Sequence, residues 1–164
     1  VLEIGFGDGE NLISNALDNL YFSFYGIEVY EMGVANILKT IEKKGINNLK
    51  IILGDAIEVL EKNSTEDYFD EILIFFPDPW PKRKHNKRRL ISENFLYDIK
   101  KVLKNDGLLI IKTDWKDYAK EIEQNVKKTF GRYRKFLDKK SNLTTKYEKI
   151  ALKENRQITY FETY

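Results

Sequence analysis

Val1-Leu2-Glu3-Ile4-Gly5-Phe6-Gly7-Asp8-Gly9-Glu10 runs from an apolar stretch into three alternating glycines. Val1–Ile4 reads as a short buried strand. The glycines read as a turn that opens a helix around Asn11–Leu17. Open α/β sheets hold nucleotide-like ligands at such a strand–turn–helix junction. Working outward, strands are expected at Phe22–Ile27, Leu49–Leu53, Asp70–Phe76 and Leu108–Lys112. Helices are expected at Tyr30–Lys43, Ile57–Lys62, Arg88–Leu103 and Tyr118–Phe130, with Asn105-Asp106-Gly107 as a turn. Tyr133–Leu137 and Gln157–Thr163 read as two strands with no helix between them, joined by a long polar link over 139–155. Five β/α units and an antiparallel pair predict an α/β fold: a seven-stranded, mostly parallel sheet with an antiparallel C-terminal edge and helices on both faces. The first four strands are nearly continuous apolar runs, as expected of strands covered on both faces.

The 164 residues, 19.4 kDa, fit a single domain spanning 1–164. A composition of 42% hydrophobic and 33% charged residues is that of a folded globular chain, not a disordered one. No apolar run approaches the roughly 18 residues of a membrane span, and no signal-peptide pattern is present. There is no cysteine and one histidine, His85. Disulfides, thiolate zinc sites and a multi-histidine metal centre are thereby excluded, and no metal is implied. A cytoplasmic setting is compatible with this. The sequence starts at Val1 inside a strand, so a preceding N-terminal segment is expected.

Net charge is only +2, but it is unevenly placed. Lys82-Arg83-Lys84-His85-Asn86-Lys87-Arg88-Arg89 carries six positive residues and no acid. A second basic stretch, 127–140, has seven positive residues against Asp138. Without both, the rest of the chain carries −10. An acidic body with two basic strips suits a phosphate-backbone partner gripped at defined places.

The glycine turn discriminates between cofactors. A dinucleotide site wants Gly or Ala where Glu10 stands, and Asp8 and Glu10 would repel a pyrophosphate at the helix start. S-adenosylmethionine has no phosphate and a positive sulfonium, and it suits this turn of Gly5, Gly7 and Gly9. Glu28 ends the second strand, where a carboxylate can accept from both ribose hydroxyls. Asp55, followed by Ala56, ends the third strand and can accept from the adenine amino group. Glu3 can face the amino-acid part.

Phe75-Phe76-Pro77-Asp78-Pro79-Trp80-Pro81-Lys82 leads into the basic octet. It holds all three prolines of the chain. Each fixes its own backbone and biases the preceding residue towards an extended form, so Asp78 and Trp80 are expected to be held stiffly at the sheet's C-terminal edge. Trp80 can stack on a base that has left its helix.

With the Glu-Ile-Gly-Phe-Gly turn, Gly26-Ile27-Glu28-Val29 and Thr145-Lys146-Tyr147-Glu148, this loop resembles the tRNA (guanine-N7-)-methyltransferases of the bacterial single-subunit type. The matching stretches span nearly the whole chain in the family's order. The resemblance implies a Rossmann-like class I S-adenosylmethionine-dependent methyltransferase acting on a guanosine in the tRNA variable loop. It implies that Glu3, Glu28, Asp55 and Asp78 contact the cofactor and that Asp78 is catalytic. Lys82, Asp114 and Thr145, Lys146, Tyr147 and Glu148 would contact the substrate, and Lys84, His85, Asn86, Lys87, Arg88 and Arg89 the RNA. Thr145–Glu148 is expected to fold over the site as a lid, and Asp114 and Glu148 are candidates for accepting from the guanine edge.

Three rival readings remain at this point. An amino-methylating nucleic-acid methyltransferase carries an Asp/Asn-Pro-Pro-aromatic loop in this place, where this chain has Asp78-Pro79-Trp80. A non-catalytic RNA-binding scaffold would lack the cofactor acids found here. A nicotinamide dehydrogenase is opposed by Glu10. Oligomeric state stays open between monomer and homodimer.

Overall fold

The computed structural model describes residues 1–62, 65–138 and 145–164. One sheet is built from β1 (Leu2–Ile4), β2 (Phe24–Glu28), β3 (Leu49–Leu53), β4 (Phe69–Phe75), β5 (Leu103–Thr113), β6 (Tyr133–Leu137) and β7 (Thr159–Thr163). Their order is β3-β2-β1-β4-β5-β7-β6. The first five strands pair in parallel, and β7 runs antiparallel to both β5 and β6. The reversed strand therefore lies one place in from the C-terminal edge. Strand order changes direction at β1 and β4, which opens the ligand crevice above their C-terminal ends.

Two helical layers cover the sheet: α1 (Glu10–Asp18), α2 (Glu31–Lys44) and α6 (Lys146–Lys153) on one face, and α3 (Ala56–Lys62), α4 (Glu93–Val102) and α5 (Lys116–Phe130) on the other. Side-chain alternation divides the strands between them. Leu2 and Ile4 of β1 join Phe95, Ile99, Ile122 and Val126 in the larger core. Glu3, between them, faces the other way and meets Asn11 of α1. Phe6, Leu12, Phe24 and Ile37 fill the core under α1 and α2, and Ala151, Ile158 and Tyr160 form a third cluster under α6.

Several expectations need correction. A helix, α6, does stand between the last two strands. The Thr145 hydroxyl accepts from the Glu148 N–H at 3.1 Å and caps it, so the Thr-x-x-Glu spacing was its signal. The rest of the expected link, 139–144, lies outside the described residues. β3 is the sheet's other edge, and Ile52 and Leu53 are exposed there instead of buried on both faces. α4 starts at Glu93, not Arg88, because the Ser92 hydroxyl accepts from the Phe95 N–H at 3.3 Å. Arg83–Arg88 forms a separate 3-10 helix. Asn105-Asp106-Gly107 is not a turn before β5. Pairing jumps from Phe69–Leu103 to Glu71–Leu108, so these residues bulge out of a continuous strand. Among the described residues no helix is long and apolar enough to cross a membrane.

Candidate active site

The floor of the crevice is the turn between β1 and α1. Gly5, Gly7 and Gly9 all adopt positive φ, at 74°, 56° and 74°. A Cβ on Gly5 or Gly7 would meet open space, whereas one on Gly9 would lie 2.4 Å from Ile37 Cδ1. The first two glycines therefore leave room for a ligand, and the third lets α2 pack closely. Glu3 lines this crevice, is 3% exposed, and accepts from Asn11 Nδ2 at 2.9 Å. Burial pushes its carboxyl up to about 7, against the pull of Asn11 and of the Lys112 charge.

Glu28 braces the turn. Its Oε2 accepts from the Gly7 N–H at 2.7 Å, and its Oε1 accepts from the N–H groups of Val29 and Tyr30 at 2.8 and 3.0 Å. The carboxylate thus ties the end of β2 to the glycine turn, with lone-pair capacity left on Oε2. Asp55 is exposed, and its Oδ1 accepts from the Ile57 N–H at 2.8 Å at the start of α3, beside the buried Ala56.

The loop after β4 is held from below. Arg89 is buried, its Nε donates to the Pro79 carbonyl at 2.8 Å, and its guanidinium pairs with Asp117 at 3.1 Å and with Glu121. It also lies 4.9 Å from the Tyr118 ring centroid. The Arg89 charge is thus committed to α5, unlike the exposed cations of the octet. Lys82, Lys84, Lys87 and Arg88 remain exposed, with His85 and Asn86 half-buried. The Asn86 amide nitrogen, turned to face them, reaches the Lys82 and Trp80 carbonyls at 3.2 Å each.

The prolines do not impose extended backbone throughout. Phe76 and Trp80, each preceding a proline, have φ of 53° and 42°. Bulky residues in that region store strain, which collects at functional sites. Trp80 is half-buried, with the Arg88 guanidinium 4.9 Å from its ring centroid and His85 edge-on at 5.9 Å. Asp78 stands exposed between these two points.

The remaining wall comes from α6. Thr145, Lys146 and Tyr147 line the same crevice as Glu3 and the glycine turn. Lys146 Nζ lies 3.0 Å from Asp8 Oδ2 across the crevice, and the Tyr147 ring sits 6.3 Å from that of Phe76. Glu148 is the exception. It is 4% exposed, points under α6, and accepts from Lys112 Nζ at 3.0 Å and from the Tyr160 hydroxyl at 2.6 Å. As placed, its carboxylate is engaged by Lys112 and Tyr160 under α6. Asp114, expected with Glu148 at a guanine edge, pairs with Arg156 Nη1 at 2.6 Å.

Comparison with known proteins shows which α/β enzymes share this arrangement. Residues 1–161 match a family model described as "Putative methyltransferase". The tRNA (guanine-N(7)-)-methyltransferase of Buchnera aphidicola subsp. Schizaphis graminum is 42% identical over 164 residues, covering 96% of this chain and 69% of that protein. This chain belongs to the tRNA (guanine-N7-)-methyltransferase family.

Family relatives of the same name from Alkalilimnicola ehrlichii and Nitrosococcus oceani are 35% and 43% identical, covering 96% and 75% of this chain. The chain spans 69% and 52% of their lengths. Solved structures show the fold alone. An antibiotic-related methyltransferase superposes with TM-score 0.68 at 17% identity, covering 99% of this chain and 84% of its own. A spermidine synthase in complex with AdoDATO gives 0.69 at 20% identity, covering 99% and 53%. A fold shared with a synthase cannot by itself select methyl transfer, so the sequence relatives carry that distinction.

In this family member the two basic strips lie at opposite ends of α5. Arg89 anchors the octet to Asp117 and Glu121 near the helix start, whereas Lys127 and Lys128 occupy its last turn. At 1.5 Å per residue the two anchor points stand roughly 15 Å apart along the helix. Lys128 pairs with Glu93 and Lys135 with Glu123, each at 2.6 Å. The second strip is thus partly neutralised, and its Lys139 and Lys140 lie outside the described residues.

Proposed function

We propose that this chain transfers the methyl group of S-adenosylmethionine to N7 of a guanosine in the tRNA variable loop, giving 7-methylguanosine. The observation that carries this reading is the convergence of three motifs on one crevice. The glycine turn, the Pro-rich loop and the Thr145–Tyr147 wall are far apart in sequence and adjacent in the fold. Relatives named for this activity match over nearly the whole chain.

The crevice suits the cofactor chemically. Gly5 and Gly7 leave open space where a side chain would intrude, and Glu3 offers a buried carboxylate to a cationic amino acid group. Glu28 would hold the ribose and Asp55 the adenine amino group. Bound there, S-adenosylmethionine supplies a methyl group on a positively charged sulfur.

Guanine N7 has an in-plane lone pair and no proton to lose, so the chain needs no general base. Its task is to position the base in line and to stabilise the positive charge the ring acquires. Asp78, exposed in the loop after β4, would balance that charge and orient the base. Lys82, Lys84, Lys87 and Arg88 would grip phosphates, and Lys146 and Tyr147 would face the substrate.

Methylation of unmodified tRNA transcripts with labelled S-adenosylmethionine, followed by nucleoside analysis, tests the reading. Label in 7-methylguanosine is the expected result. Label in a methylated adenosine or cytidine would overturn it in favour of an amino-methylating enzyme.

A further inference from the structure

Glu148 lies inside the protein although its neighbours Lys146 and Tyr147 line the crevice. Its partners come from two strands. Lys112 on β5 and Tyr160 on β7 are register partners, and Phe75 on β4 is the register partner of Lys112 on the other side. Their side chains share the sheet face under α6. The Lys112 ammonium lies 4.4 Å from the Phe75 ring centroid and 5.1 Å from that of Tyr160. It is held between two aromatic faces and bound to Glu148, and the Lys112 and Glu148 side chains are 2% and 5% exposed. Burial, and then the carboxylate it donates to, push the Tyr160 hydroxyl far above the usual phenol range, so it remains a donor.

A helix of eight residues has little stability of its own. Its apolar contribution is small, with Ala151 as its buried hydrophobic residue. The buried ion pair ties α6 to the sheet. It also fixes direction, because a buried charge pair tolerates one geometry where an apolar contact tolerates several.

We propose that Lys112 is a positioning residue: by clamping Glu148 it sets the placement of α6, and so holds Thr145, Lys146 and Tyr147 against the glycine turn. This deepens the proposed function and rests on it for the identity of the substrate. Glu148 then serves the site by pulling α6 down, and guanine selection falls to residues that reach the crevice. The Lys112 charge also lowers the Glu3 carboxyl slightly against the effect of burial.

The test is a double-mutant cycle with Lys112→Met, Glu148→Gln and the double variant. It is read by hydrogen exchange of the α6 amides against those of β1 and β4, and by KM for tRNA against kcat. Each single variant breaks the Lys112–Glu148 pair from one side, and the double variant removes both charges of that pair. The expected result is at least about a tenfold loss of α6 protection and a comparable rise in KM in each single variant, with β1 and β4 unchanged. The double variant recovers most of both. A Lys112→Arg variant, which keeps the charge, retains more α6 protection than Lys112→Met.

Unchanged α6 exchange in Glu148→Gln with a fall in kcat would overturn the proposal, because it marks direct contact with the base. A uniform loss of protection across the sheet that the double variant does not repair would also overturn it. Exchange is measured on the protein alone. A tRNA assay that yields no 7-methylguanosine therefore refutes the proposed function while the α6 result still judges the clamp.

Discussion

The Arg89 guanidinium donates to the Pro79 carbonyl at 2.8 Å and so joins the rigid loop after β4 to the first turns of α5. A residue within the basic octet is thus part of the scaffold that presents the octet. Arg89→Ala leaves that carbonyl without its donor and frees two partly exposed carboxylates. Stability should fall by about 1–3 kcal/mol, measured by chemical denaturation. The double variant Lys84→Ala/Lys87→Ala should leave stability unchanged and lower the salt dependence of tRNA binding by about one unit of slope per charge.

The glycines of the turn should separate binding from folding. Gly5→Ala puts a methyl into open space at a left-handed position, at a cost of about 1–2 kcal/mol, yet it should abolish detectable cofactor binding by calorimetry. Gly9→Ala adds a clash with Ile37 to the same backbone cost. It should destabilise the protein by about 2–5 kcal/mol. Equal melting curves for the two variants would contradict this division.

Glu3 predicts a pH dependence. Its folded-state carboxyl sits at about 7, above the unfolded value of 4.5, so the folded state holds a proton that the unfolded chain has lost between those limits. For a raised acid, stability declines as pH rises through that window. Glu3→Gln should remove the decline and make the ligand-free protein more stable above pH 7, on the order of 2–3 kcal/mol. Denaturation at pH 5 and pH 8 measures the difference.

Asp78 should matter after binding. Asp78→Asn keeps the size and removes the charge, so tRNA KM should change little while kcat falls at least about tenfold. Near wild-type turnover would remove Asp78 from any role in stabilising the charged ring.

The strands were legible because they are short apolar runs bounded by turn residues, and Tyr133–Leu137 agreed at both ends. The glycine turn, the Pro-rich loop and the Thr145–Tyr147 wall were legible as motifs. The burial of two charged residues was not legible, for one physical reason. Sequence reading assigns Arg and Glu to the surface, where they usually lie, and burial depends on partners distant in the chain. Arg89 needs Asp117 and Glu121, and Glu148 needs Lys112 and Tyr160. Helix α6 escaped notice because it is short and polar, and its capping spacing was read as a ligand motif. The strain at Phe76 and Trp80 was hidden because tertiary constraint overrode the preference of pre-proline residues.

The placement of β7 between β5 and β6 has a consequence for biosynthesis. During translation β5 and β6 leave the ribosome first, and neither can complete its pairing until β7 follows. Until then the outer edge of β5 is an open template for other chains. Helix α6 emerges just before β7, which brings the Tyr160 hydroxyl that donates to Glu148. A nascent chain stalled before β7 therefore has neither a closed sheet nor a finished crevice, and it presents the unpaired outer edge of β5.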